Sequence, residues 1–246
     1  MGAEVKRILL LFLVLVLSSC ATPVREKAPG PPTLTPRQLM GLDPLFGMFK
    51  DEASGQWANR DVMEAYWRLK DEARKAGYEI ILVSGRRSFT EQKYIWNRKW
   101  NAFLKDSNLD DETLVGMIQQ YTSVPGLSRH HWGTELDLSE EKARREMRDP
   151  LCTRSVRAER FHEWLRENAP RFGFCQPYRG KGVVKPEPWH WTYHRYSSVY
   201  EVQMDACVDA NRIAGRGVKG EEYLKTHLWS IYREQRRSVD RDCRTQ

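Results

Sequence analysis

The chain has 246 residues, 40% hydrophobic and 30% charged, with a net charge of +7. That length supports a domain with a sizeable core, and no internal repeat points to a solenoid. The basic excess is small enough to be an ordinary solvated face, and the absence of any nucleic-acid reader motif excludes nucleic acid as a partner.

Residues 8–17 are an uncharged apolar run, preceded by Lys6 and Arg7 and followed by Ser18, Ser19 and Cys20. Such a run falls short of the ~20 residues needed to span a bilayer. A basic start, apolar middle and small-residue end describe an export signal over residues 1–19. Residues 20–37 contain Pro23, Pro29, Pro31, Pro32 and Pro36 without apolar periodicity, and read as an extended tether. The principal domain is expected over 38–196, with a helical extension over 197–246 packed on it.

Within that domain, Val62, Tyr66, Leu69 and Ala73 recur at helical spacing and Gly77 supplies a stop, which predicts a helix over 60–76. Residues 78–83 read as a buried strand. Ser88 and Glu91 have the spacing of a capping box for a helix running to about residue 104. A short helix is expected near 112–120, a strand over 134–138, a helix over 155–168 and a strand over 189–193. Helices and strands without regular alternation favour an α+β fold, with a small antiparallel sheet packed against helices.

Four cysteines follow Cys20: Cys152, Cys175, Cys207 and Cys243. An even number in an exported chain suggests two disulfides, and four cysteines allow three connectivities. Pairing within local blocks favours Cys152 with Cys175 and Cys207 with Cys243. No Cys-x-x-Cys spacing supports a structural zinc site.

The chemistry concentrates in two segments. His130 and Asp137 in one, and His190 in the other, offer two imidazoles and a carboxylate, and Glu187 lies three residues before His190. Three protein ligands with a nearby spare carboxylate read as a hydrolytic zinc site. An antiparallel strand carrying His190 would lie beside Asp137, and a bend at Pro188 would let Glu187 reach the same cavity. Strand parity places Glu135 on the Asp137 side. His131, His162, His194 and His227 read as packing or surface residues, and the nine tryptophans as core or cleft wall.

Leu17, Ser18, Ser19 and Cys20 resemble a bacterial lipobox. The resemblance implies a lipid on Cys20 and, with Ala21 next, sorting to an outer membrane, the domain facing the periplasm. Ser128, His130, Gly133 and Asp137, followed by Glu187, Trp189 and His190, resemble the zinc D-Ala-D-Ala carboxypeptidase family, which includes the vancomycin-resistance D,D-peptidases. Ser84, Gly85, Arg87, Ser88 and Gln92 resemble its first motif, and Trp164, Phe172 and Gly173 the helix and turn between its second and third.

The resemblance implies Zn2+ held by His130, Asp137 and His190, with Glu187 as general base. Arg87 would stabilise the oxyanion or hold a substrate carboxylate, and Ser128 and Gln92 would position substrate or the ligands. The implied substrate is the peptide stem of peptidoglycan; the protein is expected to be a monomer. The family often has a small residue where this chain has Glu135, and an aromatic where it has Arg86. Glu135 is accordingly expected to line the cleft and attract a substrate amine, to hydrogen-bond a ligand, or to face solvent. A crosslink endopeptidase, a catalytically silent wall-binding lipoprotein and an assembly factor acting through 197–246 stand as alternatives to the carboxypeptidase.

Overall fold

The computed structural model describes residues 30–105, 108–147 and 155–244. The export signal, Cys20, most of the tether and Cys152 fall outside them. In chain order the elements are α1 (Pro36–Leu39), β1 (Met48–Lys50), β2 (Trp57–Asn59), α2 (Arg60–Lys75), β3 (Ile80–Ser84), α3 (Phe89–Leu104) and α4 (Asp111–Ile118). These are followed by β4 (Glu135–Glu140), α5 (Glu141–Met147), α6 (Val156–Asn168), β5 (Phe174–Cys175), β6 (His190–Tyr193), α7 (His194–Asp205) and α8 (Glu221–Ser238). The fold is α+β: β1 and β2 form a hairpin, and a four-stranded antiparallel sheet runs in the order β3-β4-β6-β5.

All six residues of β4 are buried, yet its sequence alternates apolar and polar. Leu136 and Leu138 join the main apolar core together with Trp191 of β6. Side-chain alternation then turns Glu135 and Asp137 to the opposite face, where the register sets Asp137 against His190 and Glu135 against Thr192. One face of the sheet is thus core and the other is site. The register of β3 shifts between Leu82 and Ser84, beside Asp137, which bends the chain into the turn carrying Gly85 and Arg87. A Cβ on Gly85 would collide with the carbonyl oxygen of Trp57, so glycine is required there.

The expected helices form for the anticipated reasons. In α2, Val62, Tyr66, Leu69 and Ala73 are buried, with Asp61 in the first turn and Arg74 and Lys75 in the last, charges that suit the helix dipole. In α3 the Ser88 hydroxyl accepts from the Glu91 amide and the Glu91 carboxylate accepts from the Ser88 amide, closing the capping box at 3.2 and 2.7 Å. The hairpin and β5 have no sequence signal, since elements of two or three residues carry no measurable period, whereas α1 has one in Thr35, Pro36 and Gln38, a capping box with proline at the first helical position. The boundary expected at 196–197 falls inside α7. Helix α8 buries Leu224, Leu228, Ile231 and Tyr232 in the same core as the sheet. Each such side chain is worth about 1.5–3 kcal/mol.

The disulfide differs from the pairing expected. Cys175 bonds Cys243, with Cα atoms 5.6 Å apart, and among the described residues Cys207 is a half-buried free thiol. Closeness in sequence was the wrong guide, because the 18-residue α8 carries the chain ~27 Å. The segment after it returns beside β5, where the Asp240 amide donates to Pro177 O at 2.7 Å and Val239 and Cys243 pack on Tyr178 and Val184. A bond across 68 residues restricts the unfolded chain strongly. Cys243→Ser is expected to lower unfolding stability by about 4 kcal/mol, read from urea unfolding under oxidising conditions. An unchanged midpoint would show that this bond contributes nothing.

Candidate metal centre

His130 lies in a 3-10 turn, Arg129–Trp132, that ends at Gly133 with φ of +69°, a conformation suited to glycine. Its Nδ1 sits 2.7 Å from Gly85 O. A carbonyl only accepts, so Nδ1 carries the proton and Nε2 keeps its lone pair. His190 is held the other way round: Nε2 lies 2.7 Å from Glu135 Oε2, which leaves Nδ1 as the free donor atom. The two differently oriented imidazoles thereby turn His130 Nε2 and His190 Nδ1 towards Asp137, with Arg87 Nη2 also 3.1 Å from His130 Nε2.

Asp137 completes the set. Its Oδ2 accepts from Arg87 Nη2 at 2.5 Å, while its buried Oδ1 has no hydrogen-bond partner. Oδ1 lies 3.3 Å from His190 Nδ1 and 3.5 Å from His130 Nε2, and the ligand atoms of the three residues all fall within 4.8 Å of one another. Tetrahedral zinc with bonds of ~2.1 Å places ligands ~3.4 Å apart. An orphaned buried carboxylate oxygen facing two imidazole lone pairs fits that ion, and with three ligands one position is left for water.

Glu187 stands beside this group. Its amide donates to Tyr178 O, and its carbonyl accepts from the His190 amide, so the expected bend at Pro188 is formed. The bend brings Oε2 to 3.3 Å from His190 Nδ1. Burial raises the Glu187 pKa, assisted by the Asp137 charge and opposed by His190 and Arg87. A carboxylate beside the ligand set is placed to take and return a proton.

Arg87 is fixed along its length. Nε donates to Ser84 Oγ at 2.8 Å and Nη1 to Gln92 Oε1 at 3.2 Å; the backbone N–H donates to His130 O and the backbone carbonyl accepts from His131 Nδ1. Gln92 is fully buried, and its amide nitrogen donates to Thr122 Oγ1 and Ser123 O. Gln92 thus acts on Arg87, not on a substrate. His131, also fully buried, has its pKa pushed down to about 3 by burial and serves as a neutral peg under the arginine.

Glu135 does not line the cleft. It is fully buried behind His190 and also accepts from Thr192 Oγ1 at 2.6 Å and Thr134 Oγ1 at 3.1 Å. Of the three placements expected for it, the structure has the hydrogen bond to a ligand. Burial alone would push its carboxyl up, but Arg129, His190 and Thr192 hold it down at about 2. An imidazole donating to an anion is both oriented and made a stronger ligand.

The centre opens into a cleft of about 690 Å³ lined by Arg87, Ser128, His130, Asp137, Glu187 and His190. Ile95, Arg98 and Lys99 of α3 form one wall, and Lys185, Pro186 and Trp189 another. Trp189 is therefore cleft wall. The cations of α3 escaped sequence reading although Gln92, Ile95 and Lys99 have one-face helical spacing.

Residues 55–196 match the family model for VanY, D-alanyl-D-alanine carboxypeptidase. YodJ of Bacillus subtilis, a candidate carboxypeptidase, is 26% identical over 167 residues, 66% of this chain; the chain spans 55% of that relative's length. The structure of VanYB in complex with D-alanine-D-alanine aligns with a TM-score of 0.50 at 26% identity, covering 73% of this chain and 88% of that one. A vancomycin-resistance D,D-pentapeptidase VanY in complex with Zn(II) aligns with a TM-score of 0.49 at 25% identity, covering 72% and 88%. The family match takes in every residue of the ligand set, Glu187 and Arg87, and the chain belongs to the VanY D-alanyl-D-alanine carboxypeptidase family.

Proposed function

We propose that the protein is a zinc-dependent D,D-carboxypeptidase that removes the terminal D-alanine from peptidoglycan stem peptides, exported and lipid-anchored through Cys20. The observation that carries the reading is the meeting of three ligand atoms with the Glu187 carboxylate in one cleft. A site built only to bind would have no use for a second carboxylate at the ligand set, which argues against a silent wall-binding role. The ligand complex of VanYB supports a D-Ala-D-Ala terminus as the substrate.

His130, Asp137 and His190 would hold the zinc, which would supply the Lewis acidity that acidifies water and polarises a carbonyl. Glu187 takes the proton from the attacking water as the new C–O bond forms. Arg87, anchored on Ser84 and Gln92, presents its guanidinium where negative charge grows on the carbonyl oxygen. As the C–N bond breaks, Glu187 delivers the same proton to the departing amine, so water is consumed and the carboxylate is restored.

Three cations favour trimming over crosslink cutting. Arg98, Lys99 and Lys185 line the cleft, and none forms an ion pair among the described residues. Lys99 is partly buried, which lowers its pKa together with Arg98 while Glu187 opposes the shift, and its ammonium lies 5.6 Å from the centroid of the Tyr121 ring. Unpaired cations beside the general base suit a free terminal carboxylate, the group an endopeptidase substrate lacks at its scissile residue. Lys99→Ala is expected to raise KM for a D-Ala-D-Ala peptide about tenfold with kcat little changed, as for lost uniform binding. An unchanged KM would remove the cleft cations from substrate recognition.

Export is supported by the Cys175–Cys243 bond, since stable disulfides belong to oxidising compartments. Lipid on Cys20, a tether over residues 20–37 and an outer-membrane location facing the periplasm complete the proposal. Mass analysis of the amino-terminal peptide of membrane-extracted protein tests the anchor, with a lipid-bearing Cys20 as the first residue expected and an unmodified chain beginning elsewhere as the contrary result.

A further inference from the structure

Behind His190 runs a chain of alternating charges, buried as far as Glu201, that extends beyond the family-matched segment. Glu135 Oε2 meets His190 Nε2 at 2.7 Å, and Glu135 Oε1 faces Arg129 Nε at 3.3 Å. Arg129 Nη1 donates to Glu201 Oε2 at 3.2 Å, and Glu201 Oε1 accepts from Arg236 Nε at 3.1 Å. Arg236 Nη2 then pairs with Asp205 at 3.1 Å. Glu135, Arg129 and Glu201 have side-chain exposures of 0, 6 and 3%. Glu201 and Asp205 belong to α7 and Arg236 to α8, beyond the family match over 55–196.

Each member needs the next. Glu135 is fully buried with the Arg129 guanidinium beside it, and Arg129 is divided between Glu135 and Glu201. Its remaining nitrogen, Nη2, donates at 3.1 Å to Thr192 Oγ1, which itself bonds Glu135, and its guanidinium lies against the Trp132 ring. Neutralising Glu201 leaves Arg129 to Glu135 alone and weakens Glu135 as an acceptor for His190. Removing Arg236 leaves Glu201 undercompensated; it draws Arg129 off Glu135, and that carboxylate loses the contact that fixes its orientation towards His190. Either change reaches the ligand without touching the cleft.

We propose that Glu201 and Arg236, supplied by the carboxy-terminal helices, are positioning residues for the metal ligand His190, acting through Arg129 and Glu135. The inference rests on the zinc reading of the centre. It gives residues 197–246 a role in the site beyond covering the core, and makes them part of the metal-binding unit.

The test is zinc affinity of the purified full chain, measured by competition with a chromophoric chelator, alongside the melting temperature of the zinc-free protein. Glu135→Gln should weaken zinc binding by about 10–100-fold, the usual effect of losing a partner of a metal-bound histidine. Glu201→Gln should weaken it by about tenfold, within the same range. Leu228→Ala, which opens the core under α8 without touching the charges, should lower the melting temperature while zinc affinity stays at the wild-type value. If Glu201→Gln does not fold, Arg236→Gln replaces it, since that side chain is 38% exposed, and the same loss of zinc affinity is expected. Zinc binding equal to wild type in the charge variants, or an equal loss in Leu228→Ala, overturns the inference. Wild-type protein that binds no zinc overturns the metal reading itself, a separate outcome.

Discussion

Glu187→Ala is expected to reduce kcat on a D-Ala-D-Ala peptide by at least about 10²–10⁴-fold, the range for loss of a positioned acid-base group. Zinc content should be retained, because the ligand set is His130, Asp137 and His190 and the variant leaves all three in place. The separation of these two readouts is the informative part. Glu187 lies as close to His190 Nδ1 as Asp137 Oδ1 does, both at 3.3 Å, so proximity alone does not distinguish base from fourth ligand. Loss of zinc together with activity would make Glu187 a ligand and leave the site without a base. Full activity in the variant would exclude the mechanism outright.

Arg87→Lys carries the second large effect. Removal of one preorganised donor to a developing oxyanion costs about 10²–10³-fold in kcat, and lysine cannot reproduce a planar fork that holds Ser84, Gln92 and Asp137 at once. The expected result is a kcat reduced by that factor with KM changed far less. If KM rises and kcat holds, Arg87 is a substrate-carboxylate holder, and the cleft cations are not the carboxylate site. The two assignments for arginine thus separate in a single steady-state experiment.

Much of this site was legible because its parts lie on strands with strict parity. Asp137 and His190 were expected on adjacent antiparallel strands, and the register places them directly opposite. Parity also put Glu135 on the site face, but parity says nothing of depth. Whether that carboxylate met solvent, substrate or a ligand depended on His190 standing in front of it, a contact across 55 residues. The buried charge chain was less accessible still. Arg129 and Glu201 are 72 residues apart, and before folding Glu201 is one more glutamate in a helix rich in polar residues. The disulfide failed for the same reason, since its geometry is fixed by where α8 returns and not by the spacing of cysteines. The capping box at Ser88 and the helix ending at Gly77 succeeded because both are decided within four residues.

The measurement that reaches the central claim most directly is the mass of the product formed when zinc-loaded protein is incubated with a defined stem pentapeptide ending in D-Ala-D-Ala. The predicted product is the tetrapeptide, with one free D-alanine released per cleavage and none when the metal is withheld by a chelator. Intact pentapeptide after incubation with zinc-saturated protein, or release of the alanine pair as a dipeptide, would contradict a D,D-carboxypeptidase built on His130, Asp137, His190 and Glu187.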